Sequence, residues 1–191
     1  MAIAYARSAD DIVILIDAHP RHDWLLRAVD RRLREEFAKL QVQINDEKSQ
    51  VVDLARGESF GFLGFDFRRV LSGHGNWRPL FAPKLKKRTE LLRKLREIFR
   101  RNRSQPIRRV VDAINPVVRG WVNYFAVGHS SHCFSFVKSW VEKKVRRHLM
   151  RARKRRGFGW ERWISHWLYE TLGLFDGYRV RLDLRYPSPR A

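Results

Sequence analysis

The chain has one cysteine, Cys133, in 191 residues. A disulfide framework is therefore excluded, and the thiol content fits a reducing, cytoplasmic setting. No apolar run approaches the roughly 18–20 residues that a membrane-spanning helix needs, so no membrane partner is expected. The N-terminus lacks the basic region and apolar core of a secretory signal. Neither a Walker-type phosphate loop nor a serine-nucleophile motif occurs. Acid is scarce beyond residue 66. Residues 67–191 hold 8 acidic and 31 basic side chains, whereas residues 1–66 hold 12 acidic and 9 basic.

What is present argues for a folded protein with a polyanionic partner. Hydrophobic residues make up 44%, the formal net charge is +20 and the pI is about 11.2. Solubility alone does not require so lopsided a distribution. An acidic segment able to hold metal, followed by a strongly basic one, suits an enzyme acting on nucleic acid. A ribosomal-type or chromatin-type binder with an incidental acidic end is the alternative.

The acidic segment opens with Asp10-Asp11, followed at once by the apolar run Ile12–Ile16. That run reads as a buried strand. Two adjacent like charges beside it repel, and a divalent cation would relieve the repulsion. Mg²⁺ typically binds one or two carboxylates plus substrate phosphates, so a hairpin with this pair at its tip is a candidate metal site. A solvated turn is the competing reading.

Asp23 is a candidate helix cap, and Leu26, Val29, Leu33, Phe37 and Leu40 follow at helical spacing. Val42–Ile44 and Ser49–Leu54 read as strands around an Asn45–Lys48 turn. Phe60–Phe67 reads as one aromatic strand, with Gly61 and Gly64 marking a bulge or a close backbone approach. The basic segment reads as helices. Lys84–Arg103 carries Leu85, Leu92, Leu95 and Phe99 on one face, and residues 84–109 contain 12 lysines and arginines against 2 glutamates. A second helix runs from Pro106 to Ile114. Asn115-Pro116 then reads as an N-cap and first helical proline of a third, ended by Gly128. A further helix capped by Ser130 or Ser131 places Val137, Trp140, Val141, Val145 and Leu149 inward. Its far end, Lys143–Arg156, has nine basic residues and no acid. These amphipathic helices leave a basic face for phosphates. Trp160, Trp163, Trp167 and Tyr169 read as core at helical spacing, with base stacking as the alternative. Residues 178–186 alternate as a possible terminal strand.

In their order, Ser8-Ala9-Asp10-Asp11, Asn45-Asp46-Glu47-Lys48-Ser49 and Phe62-Leu63-Gly64-Phe65 resemble the end of the palm in group II intron reverse transcriptases. Those enzymes carry Tyr-Ala-Asp-Asp, Asn-x-x-Lys-Thr and Phe-Leu-Gly-Phe. Arg100–Pro106 and Ile114–Phe125 resemble the maturase-specific, or thumb, domain of the same family. The resemblance implies an α+β fold. It comprises an incomplete palm (short antiparallel sheet plus helix) at 1–80, an α-helical thumb or maturase domain at 81–170 and an extension at 171–191. It implies that Asp10 and Asp11 are catalytic metal ligands of a two-Mg²⁺ site, with ions about 3.5–4 Å apart. Lys48 falls on the lysine near the incoming nucleotide, where a cation neutralises charge or donates a proton. Phe62, Leu63 and Gly64 fall on the primer grip. The implied partners are group II intron RNA, a DNA primer on an RNA template, and dNTP. Candidate RNA-binding residues are Lys84, Lys86, Lys87, Arg88, Arg100, Arg101, Arg103, Arg119, Lys143, Lys144, Arg146 and Arg147.

The sequence departs from the family pattern in three respects. Ser8 replaces the motif tyrosine, and Tyr5 lies three residues too early to substitute. The chain starts shortly before this motif, so the expectation is a fragment without fingers and the first palm half, inactive alone. His129-x-x-His132-Cys133 has no second pair at zinc spacing and reads as a helix start. Two functions therefore stand: the C-terminal part of an RNA-directed DNA polymerase, or a stand-alone RNA-binding maturase domain that assists splicing.

Overall fold

The computed structural model describes residues 3–181, and they form a mixed helical and sheet protein with small antiparallel sheets. The chain divides into two compact units, Met1–Pro79 and Leu80–Ala191.

The first unit opens with a hairpin of β1 (Ile3–Ser8) and β2 (Asp11–Ile16), paired from Ile3–Ile16 to Ser8–Asp11. Ala9 and Asp10 form its two-residue turn, and Ala9 takes φ 50°. The strand at Ile12–Ile16 is present but not buried: Ile12 is 39% and Leu15 47% exposed. Helix α1 spans Asp23–Lys39. Asp23 lies inside its first turn, where the carboxylate meets the positive end of the dipole, and His22 takes the cap position.

The expected strands at Val42–Ile44 and Ser49–Leu54 do not form. The Asn45 turn dominates instead: its side-chain oxygen accepts the Lys48 amide at 3.1 Å and its carbonyl accepts the Ser49 amide at 3.0 Å. Such local bonds compete with sheet pairing. The aromatic run is two strands, β3 (Ser59–Phe62) and β4 (Phe65–Leu71), reversed at Leu63 (φ 49°) and Gly64 (φ 78°). Two consecutive positive φ values make a tight hairpin turn matched to the strand twist. Gly64 thus marks a reversal and not a bulge. Phe60 and Phe67 stack across the pair at 5.1 Å. Strand β5 (Trp77–Pro83) completes this sheet in the order β3-β4-β5.

The second unit is a helical bundle of α2 (Leu85–Arg101), α3 (Ile107–Tyr124), α4 (Ser131–Ala152) and the short α5 (Ser165–Glu170). Leu92, Leu95, Val110, Ile114, Val118, Val122, Phe134, Val137, Val141 and Val145 are buried. Leu85, expected inward, is 64% exposed as the first residue of α2. The two helices expected around Asn115-Pro116 are one helix, with Pro116 inside it. Proline there forfeits one backbone bond, at a cost of about 3 kcal/mol. Burial on the opposite face offsets it, and Asn115 has another task. Its amide donates to the Gly173 carbonyl at 2.8 Å and its oxygen accepts the Phe175 amide at 3.0 Å, clamping the segment after α5 against α3. The Arg181 amide donates to the Ala126 carbonyl in the same segment.

Gly128 does not end α3, which stops at Tyr124. Gly128 takes φ +66°, and a Cβ there would stand 2.2 Å from the Phe81 ring. The Ser130 hydroxyl donates to the Val127 carbonyl instead of capping α4. Trp163 is buried on an irregular turn before α5. Residues 178–181 carry no strand, and the rest of the expected 178–186 strand lies outside the described residues. No helix among the described residues is long and apolar enough to cross a membrane.

Candidate nucleic-acid interface

Helices α2 and α4 turn one basic stripe each toward a shared groove of about 160 Å³. Arg96 and Arg100 lie on α2 and Arg103 in the turn after it; Lys144, Arg147 and Arg151 lie on α4. The spacing of 4 puts Arg96 and Arg100 on one face of α2, and spacings of 3 and 4 put Lys144, Arg147 and Arg151 on one face of α4. Phe99 and His148 also line the groove, and His148 Nε2 lies 3.0 Å from the Gln105 carbonyl, fixing α4 to the turn after α2. Among the described residues, none of the six cations is ion-paired to a carboxylate. Burial, and then repulsion from Arg147, Arg96 and Arg151, lowers the Lys144 ammonium below its ordinary pKa. The groove is therefore an uncompensated positive site, and an anionic ligand would relieve it. A second cavity, of about 420 Å³, mixes Lys138 and Arg179 with Glu170 and Asp176, so it does not select for anions.

The twelve expected RNA-binding residues separate into groups. Arg100, Arg103, Lys144 and Arg147 meet in the groove. Lys86 and Lys143 are exposed, and Lys84 is half-buried just before α2. Lys87 pairs with Glu90 at 3.2 Å and Arg101 with Glu97 at 2.6 Å. Arg88 lies 4.2 Å over the Phe136 ring and Arg119 5.8 Å over Phe175.

Arg146 is a correction: it is 1% exposed. Its Nη1 bonds Glu142 at 2.8 Å, its Nε donates to the Trp163 carbonyl at 2.7 Å, and its Nη2 donates to Ser165 at 3.1 Å. A guanidinium so committed organises the core and offers phosphate nothing. The Glu142 carboxylate also accepts from Ser165 and, through a very short bond, from the Tyr169 hydroxyl. Burial pushes the Glu142 carboxyl up, but bonds from Tyr169, Arg146 and Ser165 together hold it below its ordinary value. Burial and the Glu142 bond push Tyr169 well up, and Tyr178 rises by burial with the Glu142 charge nearby. Arg96 and Arg151 were missed by the sequence reading, although their helical spacing to the other four was visible.

The remaining candidate residues lie in the first unit. Asp10 and Asp11 are exposed at the hairpin tip. Lys48 is exposed in the Asn45 turn, and no hydrogen bond or ion pair among the described residues joins it to either aspartate. Phe62 ends β3, and Leu63 and Gly64 form the next turn. Among the described residues, no three or more His, Cys, Asp or Glu side chains gather as a metal site. Asp10 and Asp11 are the two carboxylates at the tip, and Mg²⁺ usually takes one or two carboxylates, with water and substrate phosphate completing its octahedral oxygen set.

Comparison with protein families matches residues 88–167 to the group II intron maturase-specific domain. No curated protein matches the chain. The matched span runs from within α2 through α3 and α4 into α5, and it contains all six groove cations.

Proposed function

We propose, from the match of residues 88–167 to the group II intron maturase-specific domain, that the helical unit binds intron RNA through the α2/α4 groove. The carrying observation is six cations, five on two packed helices and Arg103 in the turn after α2, with no ion-paired carboxylate among the described residues. Phosphates entering the groove neutralise these charges and release the counterions condensed on RNA. Because phosphate contacts carry no sequence information, the groove supplies affinity and register on the RNA, not base choice. Filter binding of the whole chain to a structured RNA across a salt series tests this. A steep linear fall of log K with log salt is expected, and a salt-independent affinity would refute it. Asp10→Asn should leave binding nearly unchanged, because Asp10 does not line the groove.

A second reading is favoured by the hairpin that displays Asp10 and Asp11 at its tip. In it, the first unit contributes carboxylates to RNA-directed DNA synthesis in a larger polymerase, with primer, template and dNTP as partners and Mg²⁺ as cofactor. Leu63-Gly64 then offers a backbone turn to the primer. This reading expects no primer extension by the chain alone, because the larger polymerase supplies the rest of the catalytic site. Incorporation by the chain alone would contradict the need for a larger polymerase, and incorporation that survives Asp10→Asn would contradict the role of the carboxylate.

A further inference from the structure

The segment Gly157–Trp160 joins α4 to the turn before α5 and is unlike the rest of the bundle surface. Trp160 is 48% exposed, while Trp163, three residues on, is buried. The Phe158 and Trp160 rings lie together, with centroids 6.2 Å apart and planes at 39°. Both flanking glycines have positive φ, +95° at Gly157 and +65° at Gly159. A Cβ at Gly159 would stand 2.6 Å from the Trp163 ring, so the loop is pinned against the core. Beneath Trp160 the Arg146 guanidinium lies 4.2 Å from the ring centroid. Arg146 is itself held by Glu142, Ser165 and the Trp163 carbonyl, which fixes the support on which Trp160 rests. Cations flank the pair: Lys143 Nζ lies 4.7 Å and the Arg147 guanidinium 5.3 Å from the Phe158 centroid. Arg147 also lines the α2/α4 groove.

A solvent-exposed indole held rigidly, beside cations continuous with a phosphate groove, suits an unpaired nucleobase. Bases stack on aromatic faces regardless of identity, whereas a base inside a helix has both faces covered by its neighbours. Charge complementarity argues for a nucleic acid over an apolar peptide on the same rings. We propose that Phe158 and Trp160 form a stacking platform for an unpaired RNA base whose phosphates run into the α2/α4 groove past Arg147. This inference rests on the phosphate reading of the groove.

Two RNAs of equal phosphate number test it: a blunt stem, and a stem with a short uridine overhang. The whole chain should prefer the overhang RNA by about tenfold, the size expected of one stacked base. Trp160→Ala should remove that preference and leave blunt-stem affinity unchanged, and Trp160→Phe should keep most of it. In the unmutated chain, 5-iodouridine in the overhang should cross-link to the tryptic peptide Gly157–Arg162, a result that does not depend on any variant folding. Equal affinity of the unmutated chain for both RNAs, an unchanged preference in Trp160→Ala, or cross-links only elsewhere would overturn the platform. Salt-dependent binding to the blunt stem together with any of these would leave the groove reading standing. No binding to either RNA would overturn both.

Discussion

The two units handle charge and burial in nearly opposite ways. Among described residues of Met1–Pro79, Phe65 is the one buried apolar side chain, and Trp24, Leu40, Val42 and Val51 are more than half exposed. The charges of this unit balance, with 12 acidic and 12 basic residues. Many of them pair on the surface: Arg32 meets Glu36 at 2.7 Å, and Arg34 meets Asp46 at 2.9 Å. Leu80–Ala191 buries a continuous helical core yet carries 28 basic residues against 8 acidic. The helical unit thus has the packing to tolerate unpaired surface charge, which is what a polyanion-binding surface requires. The first unit has balanced charge and little core. Surface ion pairs are worth about 0–1 kcal/mol each, so they do not replace buried area.

The largest effect should come from the buried network of the helical unit. Glu142→Ala leaves the Arg146 charge buried and uncompensated, at about 3–5 kcal/mol. Chemical denaturation should show that loss, while Leu40→Ala in the first unit should change stability by no more than about 0.5 kcal/mol. Similar losses from both would erase the contrast. Next is Gly128→Ala, which combines a positive φ with a clash on Phe81. It should destabilise the helical unit by more than about 1 kcal/mol in the same assay.

The network also sets a pH window. The Glu142 carboxyl is lowered in the folded state, so its contribution is present above about pH 4.5 and lost as pH falls through the folded value. Tyr169 is raised, so its contribution is complete below about pH 10 and lost as pH rises beyond it. Thermal melts of the helical unit should fall off on both sides, and Glu142→Gln should flatten the acid limb. The smallest effect is at the first hairpin. Ala9 sits at φ 50°, so Ala9→Gly should stabilise the β1–β2 hairpin by up to about 1 kcal/mol, read by amide hydrogen exchange.

The sequence made the helical unit more legible than the first. Helical periodicity identified α2 and α4 and much of their buried faces, because apolar side chains at Leu92, Leu95, Val137, Val141 and Val145 recur at that spacing and do pack. It failed where a side chain served tertiary structure. Asn115 resembled a cap because Asn-Pro usually is one, but its amide clamps residues 173–175. Arg146 resembled its basic neighbours, and nothing local to it announces Glu142, Ser165 and the Trp163 carbonyl around it. In the first unit, Val42–Ile44 and Ser49–Leu54 had strand composition but no partner strand, and the Asn45 turn won. The hairpin tip was legible in part: the strand after Asp10-Asp11 was read from its apolar run, whereas its partner β1, with alanines, Tyr5, Arg7 and Ser8 in place of an aliphatic run, was not. The groove was legible in part: four of its six cations were named, and the pairing of two helical stripes across it needed the fold.

Salt-dependent RNA binding by matched triple variants of the whole chain tests the central claim most directly. One variant replaces Arg96, Arg100 and Arg147 of the groove by alanine; the other replaces Arg31, Arg32 and Arg34 of α1, which already face acids. In the groove variant the slope of log K against log salt should become shallower, by up to about one for each phosphate that is no longer neutralised. In the α1 variant the slope should not change. Equal changes in the two, or a larger change in the α1 variant, would contradict the assignment of RNA binding to the α2/α4 groove.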